Sequence, residues 1–259
     1  MTISLQSNLW RVRRWACIGS LVVLALSLSP SRARAEDYAS PTLLNLIHTL
    51  VRFGAVSLDD LEVIDEYAQI AECDLYREYY RDDFKWHEIQ RLLRQKLLDG
   101  VATYPLGYYV DMTLQLDRYD FNEKVYRFTE LTMPKNANVF SIQDKSAGCG
   151  NREIRIWPRS FPLVIDRPVT MVGLPLFEGD AKTLLKRMDD AGNKNHLVFA
   201  RYKLRVTRVD TYARGRNEKG QLSGALKHDS KRGTIDAHLD SVDFYEDEAR
   251  TKLIYVYRP

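Results

Sequence analysis

The sequence predicts an α+β protein, with about three helices at the N-terminal side packed on a mainly antiparallel sheet or open barrel. Three observations carry this. Apolar residues recur at three- and four-residue spacing as far as Gly100, they alternate with polar residues from about Tyr104 onward, and a lone helical stretch near residues 180–191 interrupts the alternation. Helices first and strands later is the order expected when helices segregate to one side of an antiparallel sheet.

In the first helix, residues 41–53, Leu43, Leu46, Ile47, Leu50 and Val51 share one face and Gly54 ends the run. Ser57 is placed to cap a second, acidic in its first turn through Asp59 and Asp60, with Leu61, Ile64, Ala68, Ala71 and Leu75 as its stripe. A third follows Asp82-Asp83, presents Trp86, Ile89, Leu93 and Leu97, and stops at Gly100. Tyr76, Tyr79, Tyr80, Phe84 and Trp86 crowd the junction between the last two, as rings filling a seam or stacking on a sugar would.

Strands are expected at Tyr109 to Leu116, Lys124 to Leu131, Val139 to Gln143, Arg152 to Trp157, Leu163 to Ile165 and Val169 to Val172. The inserted helix turns Leu184, Leu185 and Met188 inward and ends at Gly192. The clearest strands come last: Leu197 to Val209, Thr234 to Asp240 and Leu253 to Tyr257. The organisation expected is a leader over residues 1–35, a helical part over 36–102 and a β-rich part over 103–259, the last two forming separate subdomains or one unit.

The leader speaks to location. Arg11, Arg13 and Arg14 precede an apolar run from Trp15 to Leu28, Pro30 breaks it, and Ala33-Arg34-Ala35 has the small-x-small pattern of a signal-peptidase site. The run is too short to cross roughly 30 Å of hydrocarbon as a helix. The expectation is export to the periplasm or beyond, cleavage near Ala35, and a mature chain without a transmembrane helix. The leader holds five of the 38 Lys and Arg and none of the 35 Asp and Glu, so the formal charge falls from +3 to −2 on cleavage. Nucleic-acid binding, which needs a sustained basic footprint, is not expected.

Cys17 leaves with the leader, so Cys73 and Cys149 remain. An even pair in an oxidising compartment points to a disulfide, worth about 4 to 5 kcal/mol in the chain-entropy model. Cys149 lies in Ser146-Ala-Gly-Cys-Gly150, which leaves a reactive thiol as the alternative, although no histidine lies near it in sequence to activate it.

Candidate chemistry centres on Asp236, His238 and Asp240. Spacing of two on a strand puts all three on one face, where carboxylate and imidazole groups suit a metal or acid–base site. The competing reading is structural: Arg201, Lys203 and Arg205 also share one strand face and can answer these acids as cross-strand ion pairs. His87-Glu88 lacks the second histidine of a zinc-protease helix, since position 91 is Arg. His48, His196 and His228 show no metal-ligand spacing. Gly215 to Gly220 is followed by Gln221-Leu222 where a phosphate loop needs Lys and Ser or Thr, and no Gly-x-Ser-x-Gly elbow occurs. No cofactor is expected. Arg214, Arg216, Lys219, Lys227, Lys231 and Arg232 form a basic loop between two strands, suited to an envelope protein or an anionic surface component, or simply solvated.

Cys-Asp-Leu-Tyr-Arg-Glu-Tyr-Tyr running into Asp82-Asp83-Phe84-Lys85-Trp86, the Asp117-Arg118-Tyr119-Asp120-Phe121 segment and the Tyr-rich terminal strand resemble secreted bacterial proteins classed as domains of unknown function. The resemblance covers most of residues 40–259. It implies an envelope setting and brings no catalytic residue with it. The function expected is a non-enzymatic binding or accessory module of the bacterial envelope. The alternatives are a periplasmic hydrolase using Asp236, His238 and Asp240, and a structural or assembly accessory bound through the N-terminal helices.

Overall fold

Helix α1, Leu43–Arg52, forms where Thr42 takes an extended backbone and its hydroxyl accepts the Asn45 N–H at 3.2 Å. Its five expected apolar residues are all buried. In the computed structural model, which describes residues 38–130, 137–143, 149, 154, 157, 160–209 and 234–259, three more helices follow: α2, Leu61–Ala71, α3, Cys73–Tyr79, and α4, Asp83–Gly100. The single second helix expected from the sequence is thus two, broken at Glu72, whose φ of −132° and ψ of 54° leave the helical region. Its cap is Asp60, whose carboxylate accepts the Glu62 N–H at 3.0 Å, while Ser57 accepts the Asp59 N–H at 3.3 Å one turn earlier. The buried stripe is Val63, Ile64, Tyr67, Ala68 and Gln69, and Leu61 and Leu75 are exposed. In α4, Trp86, Gln90, Leu93 and Leu97 face inward, with Ile89 half-buried.

Among the described residues the sheet has nine strands: β1 Tyr38–Ala39, β2 Gly107–Asp120, β3 Val125–Phe128, β4 Ala137–Gln143, β5 Ser160–Val169, β6 Gly173–Pro175, β7 Leu197–Val209, β8 Ile235–Tyr245 and β9 Leu253–Tyr257. Helix α5, Glu178–Asp190, is the inserted one. The order is β4-β5-β8-β7-β2-β3-β6, with β1 added to β2 and β9 to β8, in a curled half-barrel. Pairing is antiparallel except for β1 with β2 and β5 with β8. β5 and β9 share one edge of β8: β5 takes residues 235–237 and β9 takes 242–245.

One sheet face carries the core. Tyr108, Leu114, Val198, Ala200, Tyr202, Leu204, Ile235, Ala237 and Phe244 are buried on it, and burying each large aliphatic or aromatic side chain contributes about 1.5–3 kcal/mol. Tyr108 anchors α1 to the sheet: its hydroxyl donates to the Asn45 carbonyl at 2.7 Å and meets Thr49, which itself donates to the Pro105 carbonyl at 2.9 Å. Burial pushes the Tyr108 phenol up, and that of Tyr202 up to about 12.

The expected strand over Val169 to Val172 resolves differently. Val169 ends β5 and the next strand is Gly173–Pro175, where a Cβ at Gly173 would come within 2.3 Å of the Tyr126 carbonyl. Glycine is required there by the approach of β3. The leader, the Arg152 to Trp157 strand apart from Ile154 and Trp157, and the loop over 210–233 lie outside the described residues.

Candidate functional site

The outward face of β8, β7 and β2 holds the candidate cluster. Along β8, Ile235, Ala237 and Leu239 are buried, so Asp236, His238 and Asp240 take the opposite face. Each then engages a different partner. Asp236 pairs with Arg208 at 2.6 Å, Asp240 with Arg205 at 3.2 Å and the Tyr38 hydroxyl at 2.8 Å, and His238 Nδ1 lies 2.7 Å from Asp166 of β5. The two acids turn toward β7 and the histidine toward β5. Among the described residues no group of three His, Cys, Asp or Glu is arranged to hold a metal ion.

The face continues past Asp240 because the strand slips by one residue there. Lys203 pairs with Ser241 while Leu204 pairs with Leu239, so Asp240 is the extra residue of a β-bulge. The slip brings Ser241 and Asp243 outward and sends Val242 and Phe244 into the core. Asp243 then accepts from Lys203 Nζ at 2.7 Å, Ser241 Oγ at 3.0 Å and the Tyr245 hydroxyl at 3.4 Å. Burial, and then the Asp243 charge, push the Tyr245 phenol up. One strand further on, Arg201 grips Asp111 in a two-bond fork at 2.8 and 3.0 Å, with its guanidinium carbon 4.2 Å from the centre of the Tyr109 ring. Arg250, at a positive φ of 56°, brings its Nε to 3.3 Å from the same carboxylate.

The cross-strand ladder read from the sequence is present with altered partners. Of Arg201, Lys203 and Arg205, Arg205 reaches Asp240, while Lys203 and Arg201 answer Asp243 and Asp111. Arg208, Asp111, Asp166, Asp243, Tyr38 and Arg250 complete the face and were not singled out by spacing. Asp243 had a signal: the apolar positions run 235, 237, 239 and then 242, 244, a change of phase that moves the outward set onto 241 and 243.

His238 and Asp166 form a dyad. Burial raises the Asp166 carboxyl, but the hydrogen bond and charge of His238, the Leu239 N–H and Arg167 together hold it below the usual carboxylate range. Among the described residues no hydroxyl or thiol hydrogen-bonds to the imidazole, and its partner is the Asp166 carboxylate.

Cys73 and Cys149 come together as a disulfide pair, with Cα atoms 5.2 Å apart, within the range such a bridge occupies. The Gln69 carbonyl beside them accepts the Cys149 N–H at 2.8 Å. The aromatic seam holds Tyr76, Tyr80 and Trp86, with ring centres 4.5 to 5.5 Å apart and the indole N–H donated to Asp65 at 2.8 Å. Phe84 stands apart from it, 89 % exposed. His87 is exposed on α4, and His196 lies 3.7 Å from Asp189. His48 stacks on Tyr104 at 4.1 Å, and burial, then Lys96, lower its pKa. Arg214, Arg216, Lys219, Lys227, Lys231 and Arg232, with His228, lie outside the described residues. Among the described residues no helix is long and apolar enough to cross a membrane.

No curated protein and no solved structure matches this chain. A family model does match, from the turn before α2 into the body of α5, a span that contains both cysteines, Asp111 and Asp166 and stops short of β7, β8 and β9. The resemblance drawn from the residues at 73–86 and 117–121 thus has a definite counterpart: over residues 59–187 the chain is similar to DUF4852, a domain of unknown function.

Proposed function

We propose that this is an exported, non-enzymatic envelope protein that acts as a binding or accessory module. The observation that carries the reading is the division of the Asp236, His238 and Asp240 cluster among separate partners. A hydrolytic site needs its acid, base or metal ligands to converge on one reacting atom. These groups are instead committed to holding three strands in register, and they present a surface of mixed charge with Tyr38, Tyr109 and Tyr245 beside it. The basic loop joins β7 to β8 in the chain, and the residues that flank it, Val209 and Ile235, pair at the Asp236 end of β8.

The test has two parts. Fractionating cells that express the full chain, or the chain without residues 1–35, reports location: the full chain is expected outside the cytoplasm and the shortened one inside. Capture from an envelope extract, with the six loop cations intact or replaced by glutamine, reports contact. A partner recovered equally by both forms removes the loop from the reading.

A second reading keeps acid–base chemistry, and the 2.7 Å contact of His238 with Asp166 favours Asp166 over Asp236 or Asp240 as the orienting carboxylate. Turnover of a panel of ester and glycoside substrates that is lost in both His238→Ala and Asp166→Asn would establish it. Metal content measured with and without His238→Ala separates any metal-dependent version from this one. Phe84 and Leu92, 89 % and 64 % exposed on α4, are the residues an assembly-accessory role would use.

A further inference from the structure

We infer that the outer edge of β9 receives an extended segment of another protein by strand addition, and that this segment is apolar with acidic residues at both ends. β9 hydrogen-bonds to β8, with Tyr257 opposite Val242, Val256 opposite Asp243 and Tyr255 opposite Phe244. On its other side, among the described residues, no strand pairs with it and no turn or loop backbone bond reaches residues 253–257. That row of N–H and C=O groups is a template for one more strand.

The side chains fit the same use. Leu253-Ile254-Tyr255-Val256-Tyr257 is apolar or aromatic at every position, and it contains neither the proline nor the lysine with which edge strands are commonly blunted. β6, at the far end of the sheet, shows the contrast: it is three residues long and ends in Pro175. Tyr255 and Tyr257 continue the core face through Phe244 and Val242, and Ile254, at a register shift, packs against the core with them, while Val256 lies opposite Asp243 and Leu253 opposite Tyr245 on the charged face. Leu253 is 55 % exposed. An added strand therefore finds apolar neighbours on both sides of the sheet, as alternate side chains require.

Charge selects the occupant. Lys252 and Arg258 bracket the strand, both are exposed, and neither forms an ion pair among the described residues. A second copy of this chain added antiparallel about Tyr255 would set Lys252 opposite Arg258, and a parallel copy would set like residue beside like. Either arrangement places cation against cation. A segment with acidic ends meets both cations favourably, which fixes its register as well as its attraction. This inference uses no residue of the basic loop, and it stands or falls independently of it.

The experiment uses the mature chain and two synthetic peptides of alternating valine and threonine, one ended by glutamates and one by lysines. Binding is followed by fluorescence anisotropy, and the backbone by amide hydrogen exchange. The glutamate-ended peptide is expected to bind saturably and to slow exchange across residues 253–257. The double substitution Lys252→Glu and Arg258→Glu, on exposed side chains that leave the fold intact, should weaken it by roughly tenfold or more and transfer the preference to the lysine-ended peptide. Four outcomes overturn the inference: no binding, equal affinity for the two peptides, binding that leaves the β9 amides unchanged, or a dimer in sedimentation whose β9 amides are protected without peptide.

Discussion

At its C-terminal end β8 lies between β7 and β9, and there Asp243, 6 % exposed, gathers an ammonium and two hydroxyls. At its N-terminal end β8 lies between β7 and β5, and there Asp236 meets Arg208, whose side chain is 68 % exposed. The chemistry is the same, a β8 carboxylate facing a β7 cation, but the solvent is not. Water screens the second pair and leaves it worth about 0–1 kcal/mol, whereas the first has exchanged its hydration for three hydrogen bonds and cannot lose one cheaply. What the two ends teach is that a charge ladder seen on a sheet face is uneven in energy: its buried rung sets register and its exposed rung contributes solubility.

Removing the buried carboxylate is the strongest test of that difference. Asp243→Ala leaves Lys203 and the Ser241 and Tyr245 hydroxyls facing a gap, and is expected to lower unfolding free energy by about 2 kcal/mol, below the usual range for a buried pair because Lys203 keeps some access to water. Urea denaturation checks the value. The pair Asp243→Leu with Lys203→Met should recover most of it, since two apolar groups need no partner. A loss equal to that of an exposed pair would erase the contrast between the ends.

Asp240 sits between these extremes, at the bulge, with Arg205 and the Tyr38 hydroxyl as partners. Asp240→Ala should cost about 1 kcal/mol, and Tyr38→Phe should reproduce part of that loss by freeing β1 from β8. If Tyr38→Phe is silent in thermal melts while Asp240→Ala is not, the contribution belongs to Arg205 alone.

This gradient explains which parts of the molecule could be read from the sequence. The strand at 253–257 was legible because it is a short run of β-branched and aromatic residues, and the one at 197–209 because alternation is local, each residue's face following from its neighbours two positions away. Helix α1 was legible for the same reason. The break between α2 and α3 was not, because no glycine or proline marks Glu72, and the start of α2 was not, because Asp60 and Ser57 are equally good caps in sequence. The candidate cluster was half legible. That Asp236, His238 and Asp240 share a face follows from spacing; that they look to β7 on one side and β5 on the other depends on a parallel pairing and two bulges. Asp166 and Asp111 reach their partners across 72 and 90 residues of chain, and no local pattern announces such a meeting.

The dyad at the open end gives a pH-dependent test. The folded-state pKa of Asp166 is held below its unfolded value, so its contribution to stability is complete above the unfolded pKa, about 3.9, and is lost as pH falls through the lower folded value. The difference in melting temperature between the natural chain and Asp166→Asn should therefore persist from neutrality down to about pH 5 and close as acid protonates the folded carboxyl. A natural chain that is instead the less stable of the two at neutrality, with the gap closing as pH falls toward about 4, would mean that burial outweighs His238.

The smallest effect is expected where the ladder is most exposed. Asp236→Asn and Arg208→Gln should each change stability by no more than about 0.5 kcal/mol, and a double-mutant cycle should return a coupling of the same size that vanishes in roughly 1 M salt. The hydrogen bond of Thr207 Oγ1 to the Asp236 carbonyl, at 3.2 Å, uses backbone and survives both substitutions, so strand pairing at the second register shift, between Val206 and Arg208, is retained. That makes the pair suitable as a reference: its coupling measures what a charge pair on this sheet is worth when water is present, and the excess measured at Asp243 measures what burial adds. A coupling above about 1.5 kcal/mol at Asp236 would show that the open end is closed to solvent after all, and the two ends of β8 would then differ in composition alone.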